Sequence, residues 1–443
     1  MEIIAPVRML LERLLQEGHQ AYAVGGCVRD SLLGRSPHDW DITTSATPEQ
    51  TRSCMGELRT FDTGLHHGTL SVLVDGTIYE ITTFRADGEY LDHRRPDSVQ
   101  FVHDIKKDLA RRDFTINAMA LDIEGNLIDP FGGQQDLRDG SIRCVGDPNA
   151  RFEEDALRIL RALRFASCYG FSVEQQTAQA MREKQALLRF VSAERIYEEL
   201  KRMLCGQGVH GVLMAFPDIL SQIIPEIAKA VRFAQHNPHH DSDVWEHTLR
   251  AVAAVPPESA LRLAMLLHDL GKPECFTMDE QGIGHFYGHA KPSERIARDA
   301  LHRLKADRRT TQRVVTLVRV HDLDISPTEE IIKRRLNTLG EQMLKDLIHV
   351  QRADSLAQSS LGRQERLDAL DQCEQLLERL LQERACFSLN QLVVKGGDLI
   401  GIGVPEGMQV GMMLHALLEQ VLDGTLPNDR DALIDAAKRM MKA

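Results

Sequence analysis

The chain has 443 residues, with 53 basic and 65 acidic side chains giving a formal net charge of −12. A prior of ~150 residues per domain makes this about three domains, and 43% apolar with 27% charged residues excludes a disordered chain. No apolar run approaches the roughly 18 residues of a membrane span, and an acidic chain binds nucleic acid only through a local basic patch.

The predicted elements begin with a helix over residues 1–18. MEIIAPVRMLLERLL carries acids inside its apolar stretch and lacks a small-residue cleavage site, so it reads as amphipathic and not as a signal peptide. From Gln20 to about Leu121 the pattern is mixed α/β. AYAV is a short strand running into Gly25-Gly26, VRDSLLG a short helix and DWDIT a second strand. TLSVLV and TIYEITTF alternate around Asp75-Gly76 as a hairpin, and MALDI and NLIDP flank Gly125 in the same manner. His93-Arg94-Arg95, Lys106-Lys107 and Arg111-Arg112 crowd positive charge into one stretch. After about Asn149 strand signals stop and helical periodicity runs to the end. Eight cysteines show no CxxC pair, which argues for free thiols in a reducing cytoplasm over a zinc ribbon or disulfide framework.

AYAVGGCVRD places two glycines between a strand and a helix start. Glycine lets the backbone approach an anion, and helix N-terminal N–H groups face it, so the segment makes a phosphate cradle. Asp39 and Asp41 are two apart, so on a strand both carboxylates share a face and can hold the same divalent ions. Carboxylates with triphosphate oxygens suit Mg²⁺. Two such ions would activate an attacking hydroxyl and neutralise a departing pyrophosphate. Glu80, on the strand YEITTF, is a candidate third carboxylate.

GGCVRDSLLG followed by DWDI resembles the nucleotidyltransferases of the DNA polymerase β superfamily, in the class II branch that contains bacterial tRNA CCA-adding enzymes and poly(A) polymerases. The resemblance continues through RRDFTINAMA, DPFGGQQDL, EDALRILR and ERIYEELKRML and covers essentially the whole chain. It implies catalytic Asp39 and Asp41 holding Mg²⁺, and a nucleotide pocket of Gly25, Gly26, Arg29, Asp30, Arg111, Arg112, Asp113 and Asn117. The segment from Arg85 to Phe101 resembles the flexible loop with which such enzymes switch from C to A.

EDALRILR is read as one helix, with Ala156, Ile159, Leu160 and Leu163 as an apolar stripe and Asp155, Arg158 and Arg161 on the adjoining polar side. An i,i+3 Asp–Arg pair is ordinarily a helix salt bridge worth a few tenths of a kcal/mol. It can also read a base. Aspartate accepts from the exocyclic amine of cytosine or adenine, and arginine donates to the neighbouring ring acceptor. Guanine and uracil reverse that pattern and leave buried groups unpaired. The resemblance assigns Asp155 and Arg158 to this role, with Arg161 beside them.

Nine of the 18 histidines fall between His236 and His321, and such clustering favours a metal site. VWEHT, LLHDLGKP, HFYGH and VRVHD follow in order on a helical background. A mixed imidazole–carboxylate set suits a divalent transition metal or Mg²⁺. The pattern resembles the HD superfamily of metal-dependent phosphohydrolases, which implies His247, His268, Asp269 and Asp322 as ligands. His289 and His321 would extend the site or hold a phosphate, and Lys272 would neutralise substrate charge. In some bacterial CCA-adding enzymes such a region acts on 2′,3′-cyclic phosphates and 2′-phosphates.

The expected fold class is α+β, a small N-terminal α/β nucleotidyltransferase head followed by an elongated, almost all-α remainder. The expected divisions are a head over 1–148, a neck and body over 149–232, an HD domain over 233–340 and a tRNA-binding tail over 341–443. The implied partners are the tRNA 3′ end, CTP and ATP, in the cytoplasm and without a membrane; the oligomeric state is open. A poly(A) polymerase, a partial nucleotidyltransferase, or an HD phosphohydrolase with an RNA-binding head are the competing readings.

Overall fold

Val7, Leu10, Leu11 and Leu14 recur at helical spacing and are fully buried, so helix α1 (Ala5–Gln16) lays one apolar stripe against the first strands. The computed structural model describes residues 2–37, 39–65, 68–87 and 99–442. The chain divides into two compact units, one made of residues up to 228 with 303–306, the other of 229–302 with 307 onward. The expected head and neck share the first unit, and the HD and tail segments share the second. No helix among the described residues is long and apolar enough to cross a membrane.

In the first unit, β1 (Ala21–Val24) runs into α2 (Gly26–Leu32), β2 (Asp41–Thr44) and α3 (Pro48–Met55). Strands β3 (Arg59–Gly64), β4 (Thr69–Val74) and β5 (Thr77–Thr83) follow, then the small pair β6 (Arg85–Asp87) and β7 (Val99–Phe101). Strands β1 to β5 with β8 (Ala120–Leu121) and β9 (Leu127–Ile128) form a seven-stranded sheet in the order β3-β4-β5-β2-β1-β8-β9, from which the pair β6–β7 stands apart. The β4–β5 hairpin closes Val74 on Thr77 through Asp75 and Gly76, both at positive φ, the conformation that a two-residue turn matching strand twist demands. Strand β2 pairs in parallel with β5, which sets Asp41 directly beside Glu80. The tip of the expected switching loop, with His93-Arg94-Arg95, lies outside the described residues.

Helices α4 (Ile105–Ala110) and α5 (Gly133–Asp139) complete the head. Beyond them EDALRILR is not one helix. Helix α6 (Pro148–Glu154) ends at Asp155, whose φ of −140° and ψ of 102° are extended, and α7 (Leu157–Tyr169) starts afresh. The physical reason is local: Asp155 Oδ1 accepts the Leu157 N–H at 3.1 Å, so the side chain serves an otherwise orphaned amide of the new helix. The expected stripe of Ala156, Ile159, Leu160 and Leu163 is fully buried. Helix α8 (Gln175–Lys184) precedes α9 (Ala193–Leu204), whose buried Ile196, Tyr197, Leu200 and Met203 pack on α7.

The second unit is helical. Helices Val244–Ala254, Ser259–Leu267, Arg308–Val320 and Glu341–Ala357 pack around one another, and three further helices end the chain after Arg363–Gln382. Two short strand pairs depart from the expectation of pure helix after Asn149: Ser141–Ile142 with Ser172–Val173, and the hairpin Thr277–Met278 with Gly284–His285. Two-residue strands are too short to leave an alternating signature.

Gly206 follows α9, where an added Cβ would sit 2.5 Å from the Ser167 backbone of α7. Gly206→Ala is therefore expected to cost about 1–3 kcal/mol through forced backbone movement. Urea unfolding of the full chain checks this, and an unchanged midpoint would contradict the close packing of α7 on α9.

Candidate active site and a second ligand cluster

The head carries a cavity of about 480 Å³ whose wall includes Gly25, Gly26 and Asp41, together with Asp113, Asn117, Asp155 and seven arginines. Five of the arginines, Arg29, Arg111, Arg112, Arg158 and Arg161, belong to the sequence expectation; Arg164 and Arg195 do not. Arg164 lies one helical step beyond Arg161 and was accessible from periodicity. Arg195 comes from α9, and only tertiary packing brings it to the pocket. Asp30 is absent from the wall. It stands behind Arg29, accepting from its Nε at 2.9 Å and Nη2 at 3.0 Å and from the Tyr169 hydroxyl at 3.1 Å. Asp39 precedes β2 and is exposed.

Glycine is required at the cradle. Gly25 holds a φ of +78°, and a Cβ there would come 2.8 Å from Arg112 Nη1. Behind it runs a buried polar chain. Arg29 Nη1 donates to Asn117 Oδ1 at 2.6 Å, Asn117 Nδ2 donates to Asp113 Oδ1 at 3.1 Å, and Arg161 Nε donates to Asp113 Oδ2 at 2.8 Å. Burial alone would raise the Asp113 carboxyl, but Arg161, Asn117 and Arg158 outweigh it and hold it at about 2. Arg29 also stacks over the rings of Phe165 and Tyr169.

Asp155 and Arg158 do not satisfy one another as a helix salt bridge would. Asp155 Oδ2 accepts from Arg195 at 2.8 Å, while Arg158 Nη1 donates to Glu154 at 2.6 Å and Nη2 to the Arg111 carbonyl at 3.1 Å. Both side chains are thus held in place at the cavity wall. Asp41 has a raised carboxyl pKa, first through desolvation and then through repulsion from Asp39, against the pull of Arg112. A group that resists carrying its charge beside a second carboxylate fits a divalent cation, and Glu80 is in register on the next strand.

The second unit gathers another set. His247 Nε2 lies 3.2 Å from Asp269 Oδ2 and 2.9 Å from Asp354 Oδ1, and His268 Nε2 lies 3.2 and 3.5 Å from the same two oxygens. The other oxygen, Asp269 Oδ1, faces His289 Nε2 at 3.2 Å and His321 Nε2 at 4.0 Å. Asp269 therefore lies between two ligand groups. His268, His289 and His321 each turn Nδ1 to a backbone carbonyl, of Met265, Phe286 and Val318. That contact fixes the tautomer that leaves Nε2 as a ligand atom. The buried Nε2 atoms of His247 and His268 converge on the same two carboxylate oxygens, which fits a cation among them. Burial would lower the His268 pKa, but Asp269 and Asp354 carry it to about 10, so the cluster favours positive charge.

Asp322 belongs to neither group. It is exposed next to His321, and Asp354 from the helix Glu341–Ala357 stands where the carboxylate was expected. The four-residue HD signature gives no local sign of Asp354, because that aspartate arrives through helix packing alone.

Residues 21–143 match the model of the poly A polymerase head domain, 170–231 that of an RNA and SrmB binding site of polymerase A, and 275–437 that of tRNA nucleotidyltransferase domain 2. Fold and pocket thus define a nucleotidyltransferase with a poly(A) polymerase head. A CCA-adding enzyme of Limosilactobacillus fermentum is 35% identical over 445 residues, spanning 99% of this chain and 97% of that one. One of Staphylococcus haemolyticus is 50% identical over 208 residues, 47% of this chain and 52% of that one. The crystal structure of the Bacillus stearothermophilus CCA-adding enzyme in complex with CTP superposes with a TM-score of 0.73 at 28% identity, covering 100% of this chain and 98% of that one. The chain belongs to the CCA-adding enzyme family.

The depressed Asp113 pKa has a pH signature. A carboxyl held below its unfolded value of ~3.9 stabilises fully above that value and loses the contribution as pH falls towards 2. The stability gap between wild type and Asp113→Asn, read by urea unfolding, should shrink by about 2 kcal/mol between about pH 5 and pH 2. A gap independent of pH would contradict the buried Asp113–Arg161 pair.

Proposed function

We propose that this chain adds C, C and A to the 3′ end of tRNA from CTP and ATP, releasing pyrophosphate. The observation that carries this reading is that Asp155 and Arg158 line the same cavity as Asp41 and the arginines. Asp39 and Asp41, with Glu80 alongside, would hold Mg²⁺, which supplies activation of the terminal hydroxyl and neutralisation of the leaving group. The Gly25-Gly26 turn and Arg112 receive the triphosphate. Asp155 accepts from the amine of cytosine or adenine, and Arg158 donates to the ring acceptor. Guanine or uracil would set a carbonyl against Asp155 and an N–H against Arg158 in a confined pocket. The rigid hold on both side chains supports discrimination, because neither can swing to suit another base. We assign residues 341–443 to tRNA contact by the same family membership.

A second reading concerns the other unit. The placement of Asp269 between two sets of ligand atoms favours a metal-dependent phosphohydrolase, with His247, His268 and Asp354 on one side and His289 and His321 on the other. Its proposed substrates are 2′,3′-cyclic phosphates and 2′-phosphates, which block extension of a damaged tRNA end until its hydroxyls are restored. Lys272, 2.7 Å from Asp269, is placed to meet phosphate charge.

A tRNA transcript lacking CCA should gain two residues with CTP alone and a third only when ATP is added. Unlimited A addition without use of CTP would transfer the chain to the poly(A) polymerases. Asp41→Ala should abolish extension while sparing phosphatase activity. His268→Ala with Asp269→Ala should do the reverse, and loss of both activities together would refute separate sites.

A further inference from the structure

The phosphohydrolase reading leaves one prominent side chain unused. Tyr287 is 79% exposed, among the most solvent-exposed large side chains described, and it lines the cavity of about 390 Å³ that also contains Asp269, Lys272, His289 and His321. Nothing in the fold needs an aromatic ring in water there. Its neighbours His285 and Phe286 line the same cavity, and Phe286 packs on Phe276. His285 stacks on Tyr287 at 5.1 Å between centroids and 9° between planes.

The stack is held in place from beneath. His285 Nε2 lies 2.8 Å from Asp279 Oδ2, and Asp279 Oδ1 accepts the N–H groups of Gln281 and Ile283 at 2.9 Å each, which closes the hairpin Thr277–His285. The hairpin therefore ends in a braced aromatic platform, two residues from the candidate ligand His289. A flat, exposed ring at the rim of a polar phosphate pocket suits a nucleobase, because every base has a π-face and stacking tolerates sequence.

We infer that Tyr287, stacked on His285, is the specificity-determining residue of this second cavity, gripping the base of a nucleoside 2′-phosphate or 2′,3′-cyclic phosphate while the metal cluster receives the phosphate. The inference rests on the phosphohydrolase reading of the same cluster. It makes the cavity selective for phosphates carried on a nucleoside, whether free or at an RNA end.

The test uses the full chain, loaded with the divalent ion that elemental analysis finds on it, and isothermal calorimetry with two probes. Adenosine 2′-monophosphate carries a base; glycerol 2-phosphate does not. The component read is the binding that His268→Ala removes. Tyr287→Ala should weaken the adenosine probe roughly 5- to 100-fold and leave the glycerol probe and the melting temperature unchanged, with Tyr287→Phe retaining wild-type affinity. Hydrolysis of the two probes should show the same split, in KM more than in kcat. Equal loss for both probes, or none for the adenosine probe while metal remains bound, would overturn the stacking role alone. A chain whose metal content matches that of His268→Ala would overturn the phosphohydrolase reading and this inference with it. Binding of adenosine 2′-monophosphate but not of a 2′-phosphorylated RNA end would place the free nucleotide as the ligand and keep the stacking role.

Discussion

Seven guanidinium groups face one cavity in the head of an acidic protein, and the rest of the first unit is arranged to keep them there. Each like charge raises the cost of the next in a confined space. The structure answers with carboxylates placed in the wall and behind it. Buried Asp108 meets Arg111 and Arg112, Asp113 meets Arg161, Glu154 meets Arg158, and Glu199 meets Arg164. These partners sit on α4, on α6, on α9 and in the turn after Arg112. Head and neck must therefore fold together before the pocket exists. The arginines are thus held along the cavity wall beside Asp41.

The second cluster applies the same constraint with the signs reversed. Among the described residues two carboxylates are enclosed by four imidazoles, and backbone carbonyls set the tautomers of three of them, His268, His289 and His321. The mixed imidazole–carboxylate enclosure suits a cation at its centre. Burial of Asp269 without a counter-charge would be costly, and Lys272 supplies part of that charge. The arginine-lined cavity and the imidazole–carboxylate cluster belong to separate compact units.

Much of this was legible in the residues. Period-two alternation and the Asp-Gly turn identified the β4–β5 hairpin, and the Gly-Gly turn and Asp41, singled out from spacing, line one cavity. What escaped reading has physical causes. Asp155 looked helical because its neighbours are; a single side-chain hydrogen bond to Leu157 outweighs that propensity and breaks the helix. Asp322 looked like a ligand because it follows His321, as Asp269 follows His268. Asp322 is exposed at the end of its helix, and the carboxylate comes from Asp354 instead. Arg195 and Asp354 reach their sites through helix packing, which leaves no trace in local spacing.

The central claim is that a protein surface, with no nucleic-acid template, reads the edge of the incoming base at Asp155 and Arg158. The most direct measurement is the ratio of kcat/KM for CTP to that for UTP on a tRNA transcript lacking CCA, in wild type and in Asp155→Asn. The amide offers an N–H where the carboxylate offered only acceptors, and so meets the O4 of uracil. The account predicts that the preference for CTP collapses by on the order of a hundredfold or more. An undiminished preference in an extension-competent Asp155→Asn enzyme would contradict it.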